Sequence, residues 1–384
     1  MKILIVTPMA LPLPAVKGGG AEWLIQRIVD ENEKEHRFDF TVMSVYDKEA
    51  ESHIQKYKHT KFFFLKKCKL FYKYYGYLKK IFSNVNYYAP YIKALRRYLR
   101  KNHFDKIILE NNIHLTKGVK GFNGEIVFHL HNDTINKQTI LPKEYKNIDR
   151  VFCVSDFIKS QVLSTGKFKD ERVCVLPNCN CMPDAFPCVN HISRELLGIS
   201  EEETVFLYVG RIIKEKGVRE LVEAFNFVEK KIPSKLVIVG GINYSNNKED
   251  EYVMHLKQIS SSNIIYTGYV DYMSVKQYYS IANIVVIPTL YFEDAAPLVA
   301  IEAMCAGIPV IASDSGGIWD FVNERCGIKI KRNENFIKEL ADKMFYLASS
   351  RETMQDMKQS ALQSSKEYTK EKYFSNFVEL INRK

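Results

Sequence analysis

The sequence predicts an α/β protein made of two parallel-sheet domains. Three observations carry that expectation. Short apolar runs alternate with longer amphipathic segments from residue 3 onward, and a second alternation begins at Thr204. The 384 residues leave room for two cores of ordinary size, and 46% hydrophobic content fits a globular class rather than disorder. Glycine-rich or charged motifs follow the ends of several runs, where open α/β sheets bind their ligands.

In the first half, residues 3–6, 40–45, 106–109, 126–129 and 151–154 read as strands of one sheet. The start, MKILIVTP, resembles a secretory leader, but Thr7, Pro8, Pro12 and Pro14 break its apolar run and Lys2 is its one cation. It reads as a first core strand. No run approaches the roughly 18 apolar residues of a membrane span, so a cytoplasmic protein is expected. The eight cysteines agree. Cys153, Cys174 and Cys305 lie in apolar runs and read as buried thiols, while Cys179, Cys181 and Cys188 lack a zinc-finger spacing.

Between the first strand and first helix lies Lys17-Gly18-Gly19-Gly20-Ala21-Glu22. Glycines admit close backbone approach, and the following helix turns its N-terminus to the same place. Residues 61–101 hold twelve Lys or Arg, no Asp or Glu, and thirteen Phe or Tyr, whereas the rest of the chain sums to −2. Such a stretch suits an anionic membrane surface. Phosphate contacts and stacking would also suit nucleic acid, and a helix with a solvated basic face is the plain alternative. Next, Phe128-His129-Leu130-His131-Asn132-Asp133 runs from a strand into a loop; both histidines point to one side, where they could serve as a base, as a metal-ligating pair or simply as structure.

The segment 183–199 reads as the linker between domains. After the strand at 205–209 comes Gly210-Arg211-Ile212-Ile213-Lys214-Glu215-Lys216-Gly217, in which glycines flank Arg211 and Lys216. Residues 235–239 form another strand entering Gly240-Gly241, and 243–251 reads as a polar mobile loop. Ile264 to Val270 is a strand ending near Gly268, and 284–287 leads into PTLYFEDAAPLVAIEAMCAGIPVIASDSGG. Pro297 fits the first helical position, Glu293 and Asp294 precede the helix, and Glu302 rides on it about 7.5 Å further along. A helix N-terminus seats phosphate and carboxylates hold hydroxyls, a combination that describes a nucleotide sugar.

This last stretch resembles the signature of retaining glycosyltransferases of family four, which share the GT-B fold. Asp294 and Glu302 have the spacing of that family's two glutamates, followed by Ala303, Met304, Gly307, Pro309, Val310, Gly316 and Gly317. Val154-Ser155-Asp156-Phe157 and Leu176-Pro177-Asn178 are similar to two further landmarks. Departures are Asp294 for Glu, Pro297 for Gly and Cys179 for Gly, which leave the sugar in doubt.

The resemblance implies two Rossmann-like domains facing a cleft: 1–185 binding acceptor, 186–366 binding the nucleotide sugar, and 367–384 a helix crossing back. It implies sugar transfer to a hydroxyl of a glycan or lipid-linked acceptor with retained anomeric configuration. UDP-hexose or UDP-N-acetylhexosamine is the expected donor, with no cofactor and no metal, and no D-x-D triplet occurs. Arg211 and Lys216 would hold the diphosphate, Glu302 the ribose, Asp294 the sugar ring and His131 the reacting region. Gly19, Gly20, Gly210, Tyr269, Val270, Glu293, Pro297, Leu298 and Val299 would line the donor site. The family's membrane-bound acceptors favour a membrane role for residues 61–101, at the inner face of the cell membrane in surface-polysaccharide assembly, with no nucleic acid as partner. A nucleotide-sugar epimerase, a non-catalytic relative and a nucleic-acid-binding protein are the alternatives, told apart by acceptor-free epimerisation, binding without turnover, and salt-sensitive RNA binding.

Overall fold

The computed structural model describes residues 1–66, 73–75, 86–182, 192–242, 250–291 and 295–383. By its contacts the chain divides into two compact units, Met1–Pro177 with Tyr373–Lys384, and Asn178–Lys372.

The first unit is built around β1 (Lys2–Val6), whose Ile3, Leu4, Ile5 and Val6 are fully buried. A strand apolar on both faces needs cover on both, and parallel pairing with helical crossovers supplies it. The sheet runs β3 (Thr60–Leu65), β2 (Asp39–Val45), β1, β4 (Lys106–Glu110), β5 (Glu125–Leu130), β6 (Arg150–Cys153), β7 (Val173–Val175), all pairs parallel. Helices α1 (Gly20–Glu35), α2 (Lys48–His53), α3 (Ala89–Leu99) and α4 (Asp156–Ser164) fall between the strands. Strand order reverses direction between β1 and β4, which opens a crevice beyond their carboxyl ends.

The second unit repeats this order. Its sheet runs β10 (Ile264–Gly268), β9 (Ser234–Val239), β8 (Thr204–Val209), β11 (Ile284–Ile287), β12 (Val310–Ser313), β13 (Gly327–Ile330), again all parallel. Its helices are α5 (Val218–Val228), α6 (Glu251–Ile259), α7 (Tyr272–Ile281), α8 (Leu298–Cys305), α9 (Phe336–Ser349) and α10 (Arg351–Ser365). One core joins α7 and α8 to the sheet, and another joins α5 and α9 to its opposite face. The reversal here lies between β8 and β11.

Several sequence expectations change. The basic aromatic stretch 61–101 is not one surface segment: Thr60–Leu65 is an edge strand on β2, and Ala89–Leu99 is a helix burying Tyr91, Ile92 and Leu95. Phe63 of that strand stacks on Tyr98 of that helix, ring centres 4.4 Å apart. Residues 67–72 and 76–85 lie outside the described part, as do 183–191 of the linker and 243–249 of the polar loop. The second unit starts at Asn178, ahead of the expected linker. Asn178 donates to the Ala296 carbonyl at 3.0 Å, and the Asn180 amide donates to the Tyr368 carbonyl at 2.8 Å. Cys179 and Cys181 are buried beside them, whereas Cys305 is partly exposed.

The last helix, α11 (Lys370–Asn382), contributes Phe374 and Phe377 to the first unit, both fully buried, with Phe377 edge-on to Phe38 and Phe40. Its C-terminal carbonyls carry partial negative charge and need donors. Lys106 Nζ reaches the Ile381 carbonyl at 2.6 Å, Arg150 reaches the Leu380 and Ile381 carbonyls, and Glu125 pairs with both cations. Arg150→Ala should therefore weaken this dock by about 1–3 kcal/mol. Amide exchange across residues 373–382 should accelerate in the variant; unchanged protection would show that the aromatic contacts suffice.

Candidate functional site

In the second unit, two loops meet at the switch point. The first leaves β8 at Gly210, with Ile212 N donating to the Gly241 carbonyl and Tyr208 Oη to the Arg211 carbonyl. It then turns through Lys214–Lys216 into Gly217, the left-handed residue that opens α5. The second loop leaves β11 at Pro288. The Glu215 carbonyl binds them together, accepting from Leu290 N at 2.9 Å, Tyr291 N at 3.1 Å and Thr289 Oγ1 at 3.3 Å. A Cβ on Gly217 would collide with the Pro288 carbonyl, so the close approach itself requires glycine. Arg211 is exposed and Lys216 partly so on this braced loop, beside the N-terminus of α5. Two cations and a helix N-terminus together suit a polyanion.

The second loop continues to α8, whose Pro297 is the cap rather than the first helical residue, because its ψ of 123° is extended. Leu298 and Val299 begin the helix half-buried, and Tyr269 and Val270 lie half-buried just past β10. Glu293 and Asp294 lie outside the described residues. Glu302 is 2% exposed, and its two carboxylate oxygens accept from Tyr272 Oη and Tyr279 Oη, each at 2.7 Å. Burial raises its pKa, against the pull of the two hydroxyls. Burial and the neighbouring Glu302 in turn push both tyrosines well up. Both oxygens of this carboxylate are thus engaged by tyrosines, an arrangement the spacing argument did not anticipate.

The first unit collects polar groups at its own switch point. Gly19 is left-handed and precedes α1, which Gly20 starts. A Cβ on Gly19 would collide with Glu22 Oε2: the missing side chain is the space that the Glu22 carboxyl occupies. Glu22 is 5% exposed, and burial, with a smaller push from Glu110, raises its pKa to about 7. Glu110 ends β4, and parallel register sets it opposite His129 on β5. Its Oε2 lies 3.0 Å from His129 Nδ1 and 2.8 Å from His131 Nε2, with all three side chains buried. Burial alone would raise Glu110, but the two imidazoles, His129 first, hold it down at about 2. For His131, burial and then the charge on His129 outweigh Glu110 and lower it to about 4.

Glu110, His129 and His131 are the cluster among the described residues whose donor atoms crowd within 4.8 Å, as metal ligands do. His131 and Glu110 are hydrogen-bonded, and both separations at the one oxygen are shorter than those between neighbouring ligands around a zinc ion at its usual bond lengths. Sequence reasoning found the histidines but missed Glu110 and gave Glu22 no role. A carboxylate closing the apolar run Ile107-Ile108-Leu109 was the available signal.

Comparison with known proteins follows the same lines. Residues 190–364 match the family model described as glycosyl transferases group 1. The chain is 26% identical over 344 residues to the putative glycosyltransferase YtcC of Bacillus subtilis (strain 168), a match covering 84% of this chain and 77% of that one. It is 28% identical over 247 residues to the lipopolysaccharide 1,2-N-acetylglucosaminetransferase of Salmonella typhimurium, covering 61% of each. Among solved structures, Anabaena Alr3699/HepE in complex with UDP and glucose superposes with a TM-score of 0.75 at 17% identity, covering 99% of both chains. That likeness shows the fold, which is GT-B.

Two outcomes test this description. Above pH 7 the ionised Glu22 carboxylate burdens the folded state by about 3 kcal/mol, since its folded pKa is raised from 4.5 to about 7. The folded protein takes up that proton before the unfolded chain does, so the burden disappears as pH falls to 4.5. Denaturant unfolding should show Glu22→Gln gaining on the parent at pH 8 and losing the gain by pH 4.5; a pH-independent difference contradicts the burial argument. Gly217→Ala combines a left-handed backbone with the Pro288 collision. It should lose at least about 2 kcal/mol of stability, and a neutral effect would mean the two loops are not pressed together.

Proposed function

We propose that this chain, whose residues 190–364 match the family model of group 1 glycosyl transferases, moves a sugar from a nucleotide donor to an acceptor hydroxyl with retention at the anomeric carbon. The observation that carries the proposal is the braced loop pair at the β8/β11 switch point. It presents Arg211 and Lys216 beside the α5 N-terminus, with α8 following in the same chain segment.

Arg211 and Lys216 neutralise the donor diphosphate and stabilise charge on the departing nucleotide, the electrostatic work that dominates many transfer reactions. Gly210 and the first turn of α8, with Pro297, Leu298 and Val299, bring backbone close to the donor. Tyr269 and Val270 line the base, Glu293 and Asp294 the sugar, and Glu302 the ribose through its tyrosine-lined seat. Gly19 and Gly20 face the donor diphosphate, and His131 serves the reacting sugar. The leaving phosphate takes the acceptor proton on the face it departs from, so no protein nucleophile, metal or cofactor is required. UDP-hexose or UDP-N-acetylhexosamine is the proposed donor, in keeping with the UDP and glucose bound by HepE. A glycan or lipid-linked hydroxyl is the proposed acceptor, and surface-polysaccharide or lipopolysaccharide assembly the proposed setting, as in the Salmonella relative. The remaining basic residues of 61–101 meet an anionic membrane in this proposal, at its cytoplasmic face. No helix of the described residues is long and apolar enough to cross a membrane.

The test is UDP release from UDP-glucose, UDP-galactose and UDP-N-acetylglucosamine with lipid-linked glycan acceptors, scored against Lys216→Ala. Lys216→Ala should lower turnover by about 100-fold or more, and NMR of the product should show the donor's anomeric configuration kept. Full turnover in Lys216→Ala, or an inverted product, overturns the assignment.

A further inference from the structure

We propose that Glu110 is a positioning residue: it fixes the orientation and tautomer of His131, so that Nδ1 is the nitrogen His131 offers to a ligand hydroxyl. The inference rests on the assignment of His131 to the reacting sugar.

Geometry carries it. His131 Nε2 lies 2.8 Å from Glu110 Oε2, and the Asn111 side chain accepts from the His131 backbone amide at 3.0 Å. Backbone and ring are thus held from the same turn, Glu110-Asn111, at the end of β4. Asn111 adopts a left-handed φ of 52°, uncommon outside glycine and a mark of a constrained turn. His129, on the same face of β5, lies 4.1 Å ring to ring from His131 and puts its Nδ1 against the same Glu110 oxygen. The His131 ring is therefore braced on one side by an imidazole and at one nitrogen by a carboxylate.

The remaining nitrogen is the informative one. The His131 side chain is 5% exposed, and its Nδ1 has no hydrogen-bond partner among the described residues. Leaving a buried acceptor unpaired is unfavourable. Such an acceptor recurs where a site awaits a group that will pair with it. Neutral imidazole carries one N–H and one lone pair. With its pKa lowered to about 4, His131 is neutral near pH 7. Its single proton then faces the Glu110 carboxylate, and Nδ1 is left as an acceptor. A sugar hydroxyl is a donor of matching chemistry. Glu22 on α1 also acts on Glu110; with its pKa raised to about 7 by burial it carries only part of a negative charge at pH 7, and Glu110 remains the acceptor for His131.

The experiment uses the full-length protein with 15N-labelled histidine at pH 7. Long-range 1H–15N spectra identify the protonated nitrogen of His131, assigned by loss of its signals in His131→Gln. The parent should show His131 neutral, with the proton on Nε2, and UDP-glucose should perturb the Nδ1 resonance. Glu110→Gln, whose amide can donate to Nε2 as well as accept from it, should yield a mixed or reversed tautomer. It should also lower kcat for UDP release from UDP-glucose at least 10-fold, with KM within about 3-fold and cooperative unfolding retained. Proton on Nδ1 in the parent, or parental kcat in Glu110→Gln, overturns the proposal. A stoichiometric metal in the purified protein overturns it as well, because a cation would take the same Oε2. If the parent releases no UDP from any UDP-sugar, the transferase assignment fails, and the unligated spectra still decide whether Glu110 fixes the ring.

Discussion

One backbone carbonyl, that of Glu215, holds together the two loops on which the second unit's chemistry rests. It accepts from two amides and a hydroxyl of residues 289–291, joining the turn after β8 to the turn after β11. The far side of the second loop is tied as well. Ser313 donates to the Thr289 carbonyl at 2.6 Å, Ser315 to the Tyr291 carbonyl, and Arg332 to the Leu290 carbonyl. Loops usually gain freedom at the ends of strands. Here the Glu215 carbonyl, together with the side chains of Ser313, Ser315 and Arg332, holds the cation-bearing turn against the segment that leads to α8. Preorganisation of this kind lets fixed charges act on a ligand without reorganising at the moment of reaction.

The first unit solves a different problem with the same topology. Its switch point gathers Glu22, Glu110, His129 and His131 in a place almost closed to water. Burying four ionisable groups is costly unless they share protons and hydrogen bonds. The structure meets this by opposing shifts: Glu110 stays ionised between two imidazoles, while Glu22 tends toward its protonated form in the space vacated by Gly19. Such a cluster is weak evidence for stability and stronger evidence for a task, since perturbed carboxylates and histidines gather where proton positions matter.

The central strands were legible because residues such as Ile3 to Val6 and Ile284 to Ile287 are apolar on both faces, a pattern that survives without tertiary context. The two edge strands of the first sheet were not. Thr60–Leu65 was hidden inside a run of lysines and aromatics, whose composition drew attention to a surface, and Val173–Val175 is three residues long. The glycine loop was recognised, but its physical reason at Gly19 is a carboxyl three residues on, which spacing alone cannot reveal. Glu110 illustrates the general limit: it is 19 to 21 positions from the histidines it holds, and parallel register is what brings them together. Glu302 stood out in the sequence, yet its partners Tyr272 and Tyr279 lie on another helix, 30 and 23 positions away.

The nucleotide seat proposed for the braced loops of the second unit relies on protein cations. Thermal unfolding of the full chain with UDP, GDP and ADP, in buffer and again with EDTA, tests it most directly. Nucleotide at a hundred times its dissociation constant adds about 2.7 kcal/mol, which raises a melting temperature by several degrees. The account predicts a rise with one nucleotide, uridine first, that EDTA leaves unchanged. No rise with any of the three, or a rise that EDTA abolishes, would contradict it.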